Sequence, residues 1–273
     1  MKKGKQVRHY FSHRGRHKHV TSLSHRLVSG ILLPVALVVI ASAGVFGFRA
    51  VPASFTSELG TLLVALGASL MRLFVAYIFA LVVGVLLGLL AERGKRTESI
   101  LLPVFDVLES MPVLAFFPVI IILFLHAHLL EGAAIFIIFF SMVWNIAFSV
   151  VGGVRQTPAD ILSIGMVFGL STWERFRKIL LPSVFPAVLT GSILAVADGW
   201  NIVIVAEALH AYAPVSTNAH DLFGIGSILV TASASGDTTT VVFAMTVLVI
   251  VIALINIALW QPLLAYAEKY KFE

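Results

Sequence analysis

Two sets of residues in this chain have types and spacings that could do chemistry. The first is acidic and lies within or close to apolar stretches: Asp106, Glu109 and Asp198. Carboxylates in such segments are costly and face a bundle interior, a cavity or a partner. Asp106 and Glu109 are three apart and share a helix face. They either line a polar path or gate between helices, or cap helix ends and pair with cations such as Arg155 or Arg175. Bare carboxylates repel an anion, so an anion bound nearby would favour the structural role. Asp198 and Asn201 lie one helical turn apart with Gly199 between them, a residue that lets a neighbouring backbone approach. With Trp200 and Glu207 they either line a cavity or pack helices, and Trp144 and Asn145 are candidates for the same cavity.

The second set is a charged, amphipathic segment, 157–181, set between long apolar runs. About 30 residues is long for a connection in a compact bundle, which marks the segment as functional. Thr157-Pro158 suits a helix start. Ile161, Leu162, Ile164, Val167 and Phe168 recur at helical spacing, and Gly169 ends or bends that helix. Ser171 with Glu174 has capping-box spacing for a second helix, Thr172 to Leu180, bearing Trp173, Arg175, Phe176, Arg177 and Lys178. Pro182 is expected to turn the chain back. The unit is either an apolar and cationic knob for a partner's groove or a re-entry loop whose cations set topology.

Other chemistry is sparse. His9, His13 and His17 would share a helix face, but the surrounding cations repel a metal ion, so no metal site is expected and the tail is read as solvated beside anionic lipid. His126 and His128 read as surface residues. There is no phosphate-binding Gly-rich loop, no zinc-protease His-Glu pair and no Ser-His-Asp set, so ATP hydrolysis and enzyme activity are not expected of this chain. Cysteine is absent, which removes disulfides, thiolate metal sites and a thiol nucleophile.

These residues must be positioned by helices in a bilayer. Of 273 residues, 59% are hydrophobic and 12% charged, with mean hydropathy +1.00; a soluble fold could not cover that much apolar surface. The pattern predicts six spans near 27–48, 73–91, 100–125, 133–154, 183–206 and 239–262. Residues 59–72 read as a surface helix or an extension of the second span. Pro103, Pro112 and Pro118 predict a bent or broken third span. A short helix is expected near 221–231. Seventeen of the nineteen Lys and Arg fall on one side of this topology; the exceptions are Arg49 outside and Arg72 at the outer edge of the second span. The positive-inside rule puts both termini in the cytoplasm. Eight of the cations lie before Leu27, so the net charge of +5 is local and does not point to nucleic acid. The basic stretch is too long, and the following run too long, for a cleaved signal peptide.

Gly169, Ile179 and Leu181-Pro182 match at fixed offsets the motif Glu-Ala-Ala, three residues, Gly, nine residues, Ile, one residue, Leu-Pro. The chain therefore resembles the permease subunits of bacterial ATP-binding cassette (ABC) importers, of the binding-protein-dependent type I kind. It departs where Ser163-Ile164-Gly165 replaces Glu-Ala-Ala; Asp160, one turn earlier, is the substitute for the acidic residue. Asp106 to Pro118 resembles the third-span signature of nitrate, sulfonate, taurine and bicarbonate permeases, and Gly199 to Glu207 the end of their fifth span. The tail after Trp260 is similar in kind to larger members, and the resemblance covers 59–273. It implies an all-α membrane fold of six transmembrane helices. The domains expected are a basic tail (1–26), a permease domain (27–265) and a cytoplasmic C-terminus (266–273). It also implies Asp160, Ser163, Gly169, Leu170, Ser171, Thr172, Trp173, Arg175 and Phe176 as the contact to a cytoplasmic ATPase dimer that binds ATP and Mg. A second permease copy or paralogue, an external solute-binding protein and membrane lipid complete the expected partners. The cargo implied is a small anion, the location the bacterial inner membrane. The alternative is a secondary transporter driven by an ion gradient, with Asp106, Glu109 or Asp198 as proton sites.

Overall fold

A helix of 37 residues, α1 (Phe55–Ala91), opens the described part of the chain. The computed structural model describes residues 55–127, 129–158, 160–161, 167–209 and 221–270; the basic tail, the first apolar run and Ser163 lie outside them. At 1.5 Å per residue α1 is about 55 Å long, well beyond a hydrocarbon core of about 30 Å. Residues 59–72 thus extend the second span instead of lying across its end.

The third span breaks at one of its three prolines. Helices α2 (Lys95–Ser110) and α3 (Val113–His126) meet at 86° across Met111-Pro112. Met111 is extended, φ −73° and ψ 127°, the conformation a following proline imposes. Pro103 and Pro118 remain inside their helices.

Helix α4 (Leu130–Gln156) is the centre of the bundle, packed between α1 and the helix Leu181–Glu207. Its buried Ala134, Ile137, Ile138, Met142, Ile146 and Val150 recur at helical spacing. Gly84 and Gly88 of α1 let the two backbones close up: a Cβ would stand 2.9 Å from the Val143 carbonyl oxygen and 2.7 Å from that of Ala147. This is the small-residue packing of membrane helices, where van der Waals contact replaces a hydrophobic drive.

The expected turn at Pro182 is corrected. A short α5 (Thr172–Arg175) runs through a π-helical turn, Phe176–Leu180, into α6 (Leu181–Glu207), and Trp173–Glu207 is one continuous helix of 35 residues. Proline has no N–H, and its ring collides with the carbonyl four residues back. Widening the turn moves that carbonyl aside, and the Leu181 N–H donates to Phe176 O, five residues back. The same device recurs before Pro262, where the Gln261 N–H reaches Asn256 O.

After α6 come a short α7 (Ile225–Ala234), α8 (Thr238–Ile255), a π-helical turn Asn256–Trp260 and α9 (Gln261–Ala267). The Asp237 carboxylate caps α8, accepting from the Thr240 hydroxyl at 2.6 Å and its N–H at 3.2 Å. These bonds hold the Asp237 carboxyl below the usual carboxylate range, the side-chain bond contributing most. Among the described residues there is no strand. Among the described residues four helices are long and apolar enough to cross a membrane, five if the bent α2–α3 pair is one span. Phe74, Phe79, Leu86, Val119, Leu123 and Leu254 point outward and exposed, as suits lipid.

Candidate functional site

The structure brings together five of the eight residues proposed to line a route. Glu109, Trp144, Asn145, Asp198 and Asn201 share a cavity of about 230 Å³ between α2, α4 and α6, with Phe140 beside them. The α2–α3 break forms one wall, since Met111 and Val113 also line the space. Asn145 donates to Asp198 Oδ2 at 2.6 Å, joining α4 to α6 across the cavity. Asn201 bonds its own helix, to Ala197 O at 3.2 Å. Trp144 sits against Phe105 and Phe140, with ring centres 5.7 and 5.5 Å away. It is 7% exposed, and among the described residues its indole N–H has no acceptor. Asp198 lies nine residues before the end of α6, about 14 Å along the axis. Charged groups exposed at that depth need water or protein around them.

The other three candidates sit elsewhere. Asp106 is exposed on α2 outside this lining, and its backbone carbonyl accepts from the Ser110 hydroxyl. Trp200 is buried in the core. Glu207, expected at the cavity, is wholly buried at the end of α6 in an ion network instead. Arg72 donates to Glu207 at 2.8 Å, to both oxygens of Glu131 at 2.6 and 2.8 Å, and to Phe223 O at 3.0 Å. The second Glu207 oxygen accepts the Gly226 N–H at 2.8 Å. One guanidinium thus fastens α1, α4, α6 and the start of α7. Arg72 lies near the middle of the long α1 but level with the first turn of α4 and the last residue of α6, which agrees with its expected place at the outer edge of the second span. Sequence reasoning missed this clamp, although a lone arginine flanked by apolar runs and facing two glutamates in other spans was a signal for it.

The 157–181 segment breaks at Gly169 as expected, while residues 162–166 of its first half lie outside the described residues and its second helix runs on into α6. Gly169 takes φ 63°, the left-handed conformation that ends helices, in open space. Ser171 and Glu174 form the reciprocal cap: the Ser171 N–H and hydroxyl donate to Glu174 at 3.1 and 2.9 Å, and Ser171 Oγ accepts the Glu174 N–H at 3.3 Å. Lys178 closes the turn on Glu174 at 2.9 Å. Trp173 stacks on Phe176 at 5.5 Å and is 66% exposed, and Phe168 is 75% exposed. Leu170 and Arg175 are half-buried and Asp160 is exposed. Arg155 does not meet Asp106 or Glu109; it pairs with Glu92 and Glu98 at 2.8 and 2.6 Å, tying the end of α4 to the α1–α2 corner.

Comparison with known proteins places this geometry. Residues 80–260 match the family described as binding-protein-dependent transport system inner membrane component. The chain is 32% identical over 162 residues to the nitrate import permease protein NrtB of Leptolyngbya laminosa, covering 59% of this chain and 57% of that one. It is 31% identical over 140 residues to the bicarbonate transport system permease protein CmpB of Synechococcus elongatus, covering 51% and 49%. The matched part therefore spans about half the length of these relatives. Among solved structures, a chain of the MetNI methionine ABC transporter in inward-facing conformations shares the fold. The TM-score is 0.65 at 18% identity, covering 77% of this chain and 98% of that one.

Proposed function

The chain belongs to the family of binding-protein-dependent transport system inner membrane components, and from that membership we propose that it is the permease subunit of an ABC importer, forming the path for a small solute. A multi-pass location in the inner membrane goes with the family, and the relatives are permease proteins, not enzymes. In this reading a cytoplasmic ATPase dimer, with its ATP and Mg, docks on Asp160 to Lys178, and the chain itself carries no cofactor. A second permease copy or paralogue completes the path, and an external binding protein delivers the solute. The reading has six spans, taken from the apolar runs, and both termini cytoplasmic, taken from the cation distribution, with 1–26 and 266–273 as cytoplasmic ends of the 27–265 domain. The names of the relatives point to nitrate and bicarbonate as cargo for those proteins, which favours a small anion by kinship.

The observation that carries the coupling is the continuous helix from Trp173 to Glu207. It has the exposed Trp173–Phe176 knob at one end and Asp198 and Asn201 of the cavity further along. Twenty-five residues separate Trp173 from Asp198, about 38 Å of helix. A push on the knob is thus delivered to the cavity wall through one rigid element, the kind of lever that alternating access uses. A gradient-driven carrier has no use for such a knob.

The test is reconstitution of the complete importer in proteoliposomes. Trp173→Ala with Phe168→Ala should leave the chain folded and abolish solute-stimulated ATP hydrolysis. Transport by the chain alone under a proton gradient, with no ATPase present, would refute the reading.

A further inference from the structure

The polar surface on α4 and α6 does not end at the cavity already described. A larger one, of about 410 Å³, opens between the last turns of α4 and the first turns of α6. Ser149, Gln156, Ser183 and Thr190 give it hydroxyl and amide groups, and among the described residues its lining carries no charged side chain. Gly152 lines it too, and an added Cβ there would meet nothing within 4 Å. Thr157, the first residue of the 157–181 segment, completes that end of the lining.

At 100° per residue, the two cavities fall on one stripe of each helix. On α4, Ser141 and Asn145 of the smaller cavity and Ser149, Gly152 and Gln156 of the larger lie within about 80° of one another. On α6, Ser183 and Thr190 of the larger and Asp198 and Asn201 of the smaller do the same. Thr190, Asp198 and Asn201 are exposed, and a carboxylate exposed within a span faces water or protein, not lipid. Eight residues, about 12 Å of helix, separate Thr190 from Asp198 on this track.

Leu194 interrupts it. It lies four residues from both Thr190 and Asp198, on the same stripe, and is 50% exposed. One turn away the two helices close up: a Cβ on Gly191 would stand 2.6 Å from Ser149 Oγ and 2.9 Å from the Asn145 carbonyl oxygen. The floor of the seam is therefore shut between the cavities, and an apolar side chain stands over it. A hydrophobic constriction in a water-filled path stops polar solutes by dewetting.

We propose that the larger cavity is a second, release-side chamber of the path, taking polar solute on neutral hydroxyl and amide groups, and that Leu194 is the barrier between the two cavities. This rests on the permease reading. Hydrogen bonds to uncharged groups each contribute little net free energy in competition with water, so the chamber holds a solute loosely, as release requires.

Single thiols in the cysteine-free chain test this. Thr190→Cys puts one in the larger cavity and Asn201→Cys one in the smaller, each within the complete importer in inverted membrane vesicles. Sulfonatoethyl methanethiosulfonate, which does not cross lipid, is added with and without ATP plus vanadate. In one of the two nucleotide states the thiol at position 201 should react at least about tenfold more slowly than that at 190, because the reagent is charged and the constriction dry. Adding Leu194→Ser should bring the two rates together in that state, whereas Leu254→Ser, at an outward-facing position of α8, should leave them apart. Gly152→Phe fills the larger cavity and should shield the thiol at position 190. Equal rates in both states overturn the barrier, and a difference that survives Leu194→Ser overturns the part given to Leu194. An unshielded thiol in Gly152→Phe overturns the chamber. If neither thiol reacts in the vesicles or, from the outer side, in spheroplasts, the path of the permease reading fails instead.

Discussion

Arg72 and Glu207 stand 135 positions apart in the chain and 2.8 Å apart in space, and the Glu207 side chain is wholly shielded from solvent. The pair is one edge of a clamp that also takes in Glu131 and the Gly226 N–H. Stripping water from such charges is expensive, so deleting one partner leaves the other stranded. Arg72→Met should therefore destabilise the fold by about 3–5 kcal/mol. Glu207→Gln keeps the shape but sets its NH2 against either the Arg72 or the Gly226 N–H; it should still cost less, because Arg72 keeps both bonds to Glu131. Thermal unfolding of the full-length chain in detergent measures both; a Glu207→Gln loss as large as that of Arg72→Met would mean that Glu131 alone does not hold Arg72.

Gly224 lies against the same carboxylate, and its backbone leaves no space for a side chain. A Cβ there would stand 2.2 Å from Glu207 Oε2. Neither the buried carboxylate nor the start of α7 can withdraw without breaking the bonds to Arg72 and Gly226. Gly224→Ala should lower the unfolding temperature by several degrees, in line with a cost of about 1–3 kcal/mol for overpacking. Gly67→Ala, in α1 with nothing within 4 Å of the added carbon, should be neutral or stabilising by about 0.5–1 kcal/mol. The same thermal scan compares the two, and equal shifts would show that the Glu207 contact has slack.

Much of this was legible in the residues. Apolar periodicity placed α4 and α6 to within three residues, because both are long and uniform. The Ser171–Glu174 cap and the left-handed Gly169 follow from local chemistry, which sequence carries directly. The convergence of Glu109, Asn145 and Asp198 was only an inference from cost: polar groups in spans need company, but which company depends on packing. Glu207 was placed wrongly for that reason, since its partner Arg72 lies in another span and nothing local links them. Pro182 misled differently. A proline reads as a turn, and the widened π-helical turn that absorbs it has no pattern of its own.

Gly169 separates strain from space. With φ at 63° and nothing within 4 Å of an added Cβ, substitution meets only the backbone penalty. Asn tolerates this conformation and a β-branched residue does not. Gly169→Asn should keep solute-stimulated ATP hydrolysis in the reconstituted importer, whereas Gly169→Val should lose most of it with the unfolding temperature nearly unchanged. Normal coupling in Gly169→Val would remove Gly169 from the transmission path.

Pro182 tests the lever itself. Its missing N–H and its ring are what keep the Phe176–Leu180 turn wide. Pro182→Ala restores a donor for the Lys178 carbonyl, so the turn can close to α-helical pitch. One residue removed from the turn rotates everything before it by about 100° relative to α6. Trp173 and Phe176 would then face away from their present direction while α6 and the cavity stay in place. Pro182→Ala is expected to preserve or raise thermal stability, since an interior proline is itself unfavourable, and yet to uncouple ATP hydrolysis from solute. Pro262→Ala closes an equivalent turn in a helix that does not carry the knob and should leave coupling intact. Comparing solute-stimulated ATP hydrolysis in the two variants decides the matter. If both lose it equally, the prolines act through general stability, and the direction in which the knob points is irrelevant.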